Sequence, residues 1–350
     1  MAGVRHHILP RFLLKGFASK QDKDSVFVWV HRKNAPPFEA NTINISVEKH
    51  FYGREGEINA DDEITRIEGG YSDLINELRG AKKSVDYCSP EIAEFIAHLS
   101  IRTKNVRSGL FNAIEGYTNR FVEILTIPSN LEKLVKLIKP GLLDSLLKRF
   151  PESPPETLEE IAGKLIQETL ERMRNNKDEI EKIITDAKID NKNLLSSQVP
   201  NELKNKHNQL LKDDVLPSEK IESYKNLNWF VVSTNQTLIL GDAGCLVETG
   251  GERRFKAFEY TDDYIVNIFL PISSNKIVVG TRYANVQPLN IKTINRAFAS
   301  SSYEYFICSE NSPEKVSLSS KIGEWFGTVS NAEIEWMIQN LFKEVFKDID

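Results

Sequence analysis

The residue types best suited to chemistry lie at the start of the chain, between His6 and Phe17. Two adjacent imidazoles, His6 and His7, and the guanidinium of Arg11 would place a base and a cation on one short element, and Pro10 would stiffen the approach to it. Apolar residues at 12, 13 and 17 predict that one side of this element is buried, which would hold the site in place. The alternative is purely structural: Arg11 pairs with a buried acid, and the histidines pack or cap.

The elements around this segment must position it. A β-branched and aromatic run at 25–32 predicts a buried strand, and a looser alternation at 38–47 predicts a second strand. Apolar spacing predicts a helix over 61–78, weakened or kinked at its two central glycines. The apolar positions over 90–111 follow a single stripe, which predicts one long core helix.

The middle of the chain has a different composition. Residues 128–226 include 17 Lys or Arg, 18 Asp or Glu and only two aromatic side chains. This composition is typical of amphipathic helices with solvated, ion-paired outer faces, and residues 158–184 fit one long helix. We therefore expect a charged, all-helical insert at 128–226, and a core domain formed by residues 1–127 and 227–350.

The last third of the chain returns to strands. Short β-rich runs between 229 and 280 are separated by Gly, Asn, Asp and Pro, which predicts a largely antiparallel sheet. A helix over 289–300, a strand over 303–308 and an amphipathic helix over 331–346 complete the chain. The predicted class is α+β, with the sheet built from amino-terminal and carboxy-terminal strands.

Composition excludes several classes of protein. With 350 residues, of which 40% are hydrophobic and 27% charged, the chain can form a sizeable core and is neither disordered nor a disulfide-rich miniprotein. It has no run of about 20 apolar residues that would span a bilayer, and no signal-peptide pattern, so we expect a cytoplasmic protein without a membrane partner. The net charge of -5 argues against a surface built wholly for nucleic acid, although a local basic patch is compatible with it.

The three cysteines are odd in number and widely spaced. They form neither a disulfide framework nor a Cys-x-x-Cys metal half-site. We therefore expect Cys88, Cys245 and Cys308 to be buried thiols.

Common catalytic and nucleotide-binding motifs are missing from the sequence. There is no phosphate-binding P-loop, no dinucleotide-binding Gly-x-Gly-x-x-Gly after a strand, no His-Glu-x-x-His and no Gly-x-Ser-x-Gly. Their absence disfavours NTPases, dinucleotide-dependent enzymes and the common hydrolases. Among the other histidines, we expect His98 beside the core, and His31 and His207 in solvent.

The opening pattern His-x-x-Pro-Arg-Phe-x-Leu-x-x-Phe resembles that of a widespread bacterial family known only as a domain of unknown function. The matching residues are His7, Pro10, Arg11, Phe12, Leu14 and Phe17. Further similarity follows in order, in the strand at 26–30, the segment 44–53, an acidic helix position at Glu68, and a helix ending at Arg102-Thr103. Similarity to the family resumes at the strand 238–242 and at 269–273, and skips the helical middle.

The sequence departs from the family pattern near Asp242. Gly241 replaces a serine, and residues 243–245 replace Asn-Pro, so a role that depends on that serine or proline turn is in doubt. Asp242 itself is retained just after an apolar strand, where carboxylates serve as catalytic groups, metal ligands or turn residues. The resemblance implies a shared architecture and a shared site, without an established reaction.

The candidate residues would form a coherent site if the fold brought them together. The proposed catalytic residues are His7, Arg11, Glu68 and Asp242, with Glu48 as an alternative acid, and the proposed substrate-binding residues are His6 and Arg102. A base, two cations and carboxylates suit phosphodiester cleavage, with or without a divalent metal, and they suit phosphate or peptide-carboxylate binding equally well.

Two hypotheses of different classes follow. The first is a nuclease-like or phosphate-directed enzyme that acts on nucleic acid or another phosphate-bearing ligand. Such an enzyme would serve as a toxin or an antiphage effector. The second is a non-catalytic sensor or interaction module that contacts a protein partner through residues 128–226. The sequence identifies neither the substrate nor a metal ligand set.

Overall fold

The computed structural model describes residues 5–54, 60–81, 85–86, 90–250, 254–259, 263–325 and 331–345. Thirteen strands occur in these residues. They are β1 (Arg5–His7), β2 (Lys20–Asp22), β3 (Ser25–Arg32), β4 (Phe38–Asn41), β5 (Val47–Lys49), β6 (Val85–Asp86), β7 (Asn228–Ser233), β8 (Leu240–Gly241), β9 (Leu246–Thr249), β10 (Phe255–Lys256), β11 (Ile265–Ser273), β12 (Lys276–Thr281) and β13 (Tyr305–Cys308).

Thirteen α-helices occur in the same described residues. They are α1 (Arg11–Leu14), α2 (Asp61–Gly80), α3 (Pro90–Ile101), α4 (Lys104–Leu125), α5 (Pro128–Leu137), α6 (Lys139–Arg149), α7 (Pro155–Asn175), α8 (Lys177–Ser197), α9 (Val199–Asp213), α10 (Ser218–Lys225), α11 (Ile291–Ser301), α12 (Pro313–Ser319) and α13 (Asn331–Val345). Two 3-10 helices, Lys15–Phe17 and Thr42–Asn44, follow α1 and β4.

The strands form three sheets in which every pair is antiparallel. The largest sheet has the order β10-β9-β11-β12-β7-β6, the second has the order β2-β3-β13-β8 with β4 also paired to β3, and the third is the pair β1-β5. Strand β3 therefore pairs with β13, although the two strands lie near opposite ends of the sequence. The predicted α+β class, with antiparallel sheets from both ends of the chain and a helical middle, is confirmed.

The chain divides into two compact units. The first unit comprises residues 1–110 and 202–328 and contains all three sheets. Its main core combines Leu9, Leu13 and Phe17 of the opening segment with β11 residues such as Ile268 and Leu270, all of them buried. The opening segment is thus packed against the carboxy-terminal sheet.

The second unit comprises residues 111–201 and 329–350 and is helical wherever it is described. Helix α7 buries a stripe of residues spaced by four, Leu158, Ala162, Ile166 and Leu170, because that spacing keeps side chains on one helical face. The predicted limits of the helical insert, 128 and 226, stay a prediction.

Several predicted helices differ from the structure in their ends. The stripe over 90–111 is divided between α3 and α4, which are interrupted at Arg102-Thr103, and the long helix expected over 158–184 is divided at Asn176. Apolar spacing continues across both interruptions, so periodicity alone cannot locate them. In contrast, α2 runs through Gly69-Gly70 without interruption.

The predicted burial of the thiols is confirmed for Cys245 and Cys308, whereas Cys88 lies outside the described residues. His98 is buried as expected. The prediction that His31 and His207 face solvent is wrong, because only 1% of His31 and 6% of His207 is exposed. Both are held by aromatic contacts, His31 stacking on Phe306 and His207 lying edge-on to Phe51.

Candidate functional site

Strand β1 separates the two opening histidines onto opposite faces, because successive side chains of a strand alternate. His6 is buried and stacks on Tyr52, with ring centroids 5.3 Å apart. Its Nδ1 accepts a hydrogen bond of 2.8 Å from the backbone N–H of Tyr52. These contacts give His6 a packing role, and the substrate-binding role predicted for it has no support in this geometry.

The opposite face of β1 carries His7 and Arg5, two residues apart. Arg5 donates hydrogen bonds to the Asn44 side chain at 2.9 Å and to the Ile43 carbonyl at 3.4 Å. Arg11, in the first turn of α1, donates to the Thr42 hydroxyl at 3.5 Å. The three basic side chains therefore follow the same stretch of backbone, 42–45. We call Arg5, His7 and Arg11 the opening cationic face.

His7 is the titratable group at the centre of this face. Partial burial lowers its pKa below the usual value, and the positive charges of Arg11 and Arg5 lower it further. The ring is therefore neutral at pH 7. Its Nδ1 is buried without a hydrogen-bond partner among the described residues. A neutral imidazole beside two arginines can accept a proton, and a bound anion would favour its protonation.

The arginines of this face are held by neutral hydrogen-bond partners. Among the described residues, neither Arg5 nor Arg11 has a carboxylate partner. The predicted alternative, in which Arg11 pairs with a buried acid, is thus not what these residues show; the buried ion pair is instead formed by Arg102 and Glu68.

Arg102 lies at the interruption between α3 and α4 and is fully buried. Its Nη1 pairs with Glu68 and also donates to Nε2 of His98 at 3.0 Å. Because an arginine can only donate, Nε2 of His98 is the acceptor, and Nδ1 carries the proton and donates to the Val215 carbonyl at 3.0 Å. Burial, followed by the Arg102 charge, lowers the pKa of His98 to about 3. The network fixes the neutral tautomer and surrounds Arg102 with protein.

This network places Glu68 and Arg102 close to the opening segment, with Arg102 fully enclosed and the Glu68 side chain 20% exposed. The Nε of Arg102 donates to the Ile8 carbonyl at 2.8 Å, and the Arg102 charge lowers the pKa of His7. We infer a supporting role for Glu68 and Arg102, whereas the catalytic and substrate-binding roles predicted for them stay predictions.

Asp242 follows β8 and is buried. Its carboxylate accepts three backbone hydrogen bonds from the turn that leads into β13, from Tyr303 at 2.8 Å, Glu304 at 2.6 Å and Tyr305 at 3.1 Å. Burial raises the pKa of Asp242 to about 6, although these N–H groups act in the opposite direction. Both carboxylate oxygens accept hydrogen bonds from backbone N–H groups. This is the geometry expected if Asp242 stabilises a turn.

The replacement of serine by Gly241 has a steric reason. A β-carbon at this position would meet the Ser302 hydroxyl and would lie 3.1 Å from the Phe298 carbonyl. Ser302 donates to that same carbonyl at 2.7 Å. The space that a side chain at 241 would need is therefore filled by residues that precede β13.

A small cavity of about 80 Å³ joins the opening segment to Asp242. Ile8 and Ser46 line one part of it, and Asp242, Glu304 and Lys104 line another. Lys104 forms ion pairs with Glu48 at 2.7 Å and with Glu304 at 3.2 Å, so Glu48 is engaged at this position. Neither His7 nor Arg11 lines the cavity. The fold thus brings Asp242 near the segment that carries the cationic face but not into that face.

Two basic groups were missed from the sequence, the half-buried Arg107 and the exposed Arg5. Arg107 donates to Nδ1 of His207 at 3.1 Å and to Asn208 at 3.0 Å, and its guanidinium lies 4.0 Å from the Phe51 ring centroid. His207 and Asn208 are about 100 positions from Arg107 and Phe51 is 56 positions away, so no local pattern could reveal these contacts. Arg5 was also missed, although its place two residues before His7 on a strand is a usable signal.

Within the residues described above, no group of three or more His, Cys, Asp or Glu side chains is arranged to hold a metal ion. Within the same part of the chain, no helix has both the length and the apolar character needed to cross a lipid bilayer. The proposal of a divalent metal therefore gains no ligand set from these residues.

The comparisons with known proteins confirm the resemblance to a family of unknown function. No curated protein and no solved structure matches the chain. One family model, described as "Protein of unknown function (DUF4238)", matches residues 5–312. This range includes the opening cationic face, the Arg102 network and Asp242. The chain belongs to the DUF4238 family of proteins of unknown function.

Proposed function

We propose that the protein is a nuclease-like, phosphate-directed effector that binds a phosphate group of nucleic acid on the opening cationic face. The observation that carries this proposal is a set of basic groups on one short segment that form no ion pair with a carboxylate among the described residues. Arg5 and Arg11 have no carboxylate partner among the described residues, and Nδ1 of His7 between them has no hydrogen-bond partner. Arginine is well suited to such a site because its planar fork matches two phosphate oxygens.

The proposed reaction is hydrolysis of a phosphodiester. The oxygen of a water molecule attacks phosphorus, His7 accepts the proton that this water loses, and the bond from phosphorus to the leaving ester oxygen breaks. The leaving oxygen takes a proton from solvent. Arg11 would stabilise the added negative charge on the phosphate oxygens. The lowered pKa of His7 supports its part, because a base must be unprotonated before the reaction.

The proposed setting is a toxin or antiphage effector, by analogy with other uncharacterised bacterial proteins. In this proposal Arg102 and Asp242 support the site by hydrogen bonds to the backbone, and Glu68 supports it by pairing with Arg102. The hydrogen bond from Arg102 to the Ile8 carbonyl fixes the residue next to His7, which is the kind of support a precise site requires.

The test is a cleavage assay on labelled RNA and DNA, with Mg²⁺, with Mn²⁺ and with EDTA. We expect cleavage by the native protein and a loss of at least about a hundredfold in His7→Ala, the size typical of a general base. Arg11→Ala should lose activity as well, whereas Arg149→Ala, an exposed arginine of α6, should retain it.

Binding is tested separately from cleavage by titrating inorganic phosphate into the protein and following the imidazole resonances by NMR. We expect the His7 signals to shift toward the protonated form, and to do so less in Arg11→Ala. If the protein cleaves no nucleic acid but its His7 signals shift with phosphate, the phosphate-binding part of the proposal stands and the nuclease activity is rejected. Failure of both measurements would remove the whole proposal.

A non-catalytic interaction module is the second candidate, and a surface of the helical unit favours it. Large apolar side chains are exposed on and between its helices, including Ile138 at 56%, Ile183 at 55%, Ile189 at 52% and Trp336 at 66%. Such side chains are common at protein interfaces. A pull-down with the native protein and with Ile183→Glu/Ile189→Glu tests this. Equal recovery of the same partner by both would count against it.

A further inference from the structure

A second, largely apolar pocket lies within the first unit, away from the opening cationic face. Its volume is about 600 Å³, within the range of roughly 300–1,000 Å³ typical of small-molecule sites. Residues of helices α4, α9 and α10, together with residues 258, 259, 263 and 265, line its walls. Its apolar lining includes Val106, Leu203, Leu210, Pro217, Phe258 and Ile265.

A buried polar cluster interrupts this apolar lining. Glu259, which is 6% exposed, accepts a hydrogen bond of 2.6 Å from Lys220 and one of 2.5 Å from the Tyr224 hydroxyl. Both donors use the same oxygen, Oε1. The Lys220 ammonium also lies 4.1 Å from the ring centroid of Phe258. Lys220, Glu259 and Phe258 all line the pocket.

The other oxygen of Glu259 is not accounted for. Oε2 is buried and has no hydrogen-bond partner among the described residues. An unsatisfied buried acceptor is unfavourable, and more so when it is charged. A donor group on a bound molecule would satisfy it, with a small adjustment of the Glu259 side chain toward the pocket.

The charges around the pocket restrict the ligand further. Lys220 and Glu259 neutralise each other, and Asp263, another lining residue, pairs with Lys256 at 2.7 Å. Lys206, Asp214 and Glu219 also line the pocket, but they are exposed, so an ionised ligand group at Glu259 would introduce a buried charge that neither of these pairs balances, which is costly. The walls favour an apolar body, because they would remove apolar surface from water on binding.

We propose that this pocket binds a small, uncharged organic molecule with an apolar body and one N–H or O–H donor directed at Glu259. The site is independent of the phosphate-directed face, since no residue of that face lines it. It would make the protein a binder of a small molecule as well as of a phosphate group.

Two probes of the same shape test the donor requirement. Indole has an apolar bicyclic body and one N–H group, whereas indene has a similar body without a donor. Titration calorimetry or ligand-detected NMR should show one saturable site for indole, and an affinity for indene lower by about tenfold or more, the effect of a hydrogen bond to a charged group.

Variants locate the binding and separate its two components. Leu210 is half exposed at the pocket, so Leu210→Trp should obstruct the pocket without disturbing the core, and both probes should lose affinity. Leu194→Trp, a similarly exposed leucine of α8, should bind as the native protein does. The double variant Lys220→Met/Glu259→Leu removes both charges together, so it should bind the two probes equally well.

Three results would overturn the proposal: no saturable binding of indole, equal affinity of the native protein for indole and indene, or full binding by Leu210→Trp. Circular dichroism establishes whether the double variant is folded. If the double variant does not fold, the proposal is still tested by the two probes on the native protein and by the two tryptophan variants, because these measurements leave the buried cluster unchanged.

Discussion

The Nε of Arg102 donates a hydrogen bond of 2.8 Å to the main-chain carbonyl of Ile8, which lies 94 positions earlier in the chain. The same guanidinium pairs with Glu68 and donates to His98. One buried side chain therefore links the opening segment, α2 and α3. Arg102 holds the backbone of Ile8, the residue that follows His7. The position of His7, the proposed base, therefore depends on Arg102.

Replacing Arg102 with Met should destabilise the protein strongly. The substitution leaves Glu68 without its cation and His98 without a donor, and removing one partner of a buried ion pair costs about 3–5 kcal/mol. The free energy of unfolding in urea measures this. Arg66→Met is the matched control, because its pair with Glu63 is on the surface and should contribute little to stability. Equal urea midpoints for the two variants would contradict the role assigned to Arg102.

Asp242→Asn tests whether Asp242 is structural. The carboxylate accepts three backbone N–H groups, and an amide offers only one oxygen and directs its own N–H₂ toward the rest, so we expect a loss of about 1–3 kcal/mol in unfolding free energy. Asp144→Asn, at an exposed helical pair, should change stability little.

Phosphate binding distinguishes the two roles of Asp242. Since its oxygens face backbone, the NMR shift of His7 with phosphate should persist in folded Asp242→Asn. If Asp242→Asn has native stability but no longer binds phosphate, Asp242 belongs to the binding site and its role is not only structural.

Part of this organisation follows from the sequence, and the reasons for the rest are physical. Strand β3 and the last helix were predicted closely because their apolar patterns are long and regular. The burial of His31 was missed because a histidine next to an arginine at a strand end resembles a surface position, and its stacking partner Phe306 is 275 positions away.

The candidate site shows the same division. His7 and Arg11 were predicted from their residue types and spacing, because both belong to one local segment. Arg102 was expected to contact substrate, yet it is enclosed by groups from α2, α3 and the opening segment. Local patterns can identify a reactive residue type, but they cannot show which of its neighbours will cover it.

Gly16→Ala tests how the opening segment is attached to β11. The Gly16 carbonyl accepts a hydrogen bond of 3.0 Å from Ser274, and a β-carbon at this position would collide with the Ile272 carbonyl and with Arg79. Arg79 itself donates to the carbonyls of Ile272 at 2.7 Å and Leu13 at 3.0 Å. A backbone oxygen cannot move aside easily, so we expect a loss of about 1–3 kcal/mol from overpacking.

Gly70→Ala is the control for that substitution. Gly70 lies inside α2, and a β-carbon there meets nothing within 4 Å. Alanine should stabilise the helix by up to about 1 kcal/mol. Opposite changes in thermal midpoint are therefore expected for the two glycines, and a stabilised Gly16→Ala would show that the opening segment is not packed as described.

Stability should fall in mild acid because of three buried histidines. Burial lowers the pKa of His31 to about 4, of His98 to about 3 and of His207 to about 4. In the unfolded chain each ring takes its proton near pH 6.5, whereas the folded protein excludes it until pH 3–4. Between these limits the unfolded state binds more protons. The free energy of unfolding therefore decreases as the pH falls, by up to about 1.4 kcal/mol per pH unit for each histidine.

The variant His31→Phe isolates one of these contributions. Neither ring nitrogen of His31 has a hydrogen-bond partner among the described residues, and phenylalanine can keep the stacking on Phe306. Asp242, whose pKa is raised to about 6, acts in the opposite direction, but it is present in both proteins and cancels in the comparison. Urea unfolding at pH 7, 6 and 5 should give a shallower decline for the variant, by about 1.4 kcal/mol per pH unit at most. Parallel curves would mean that His31 takes up its proton as readily in the folded protein as in the unfolded chain.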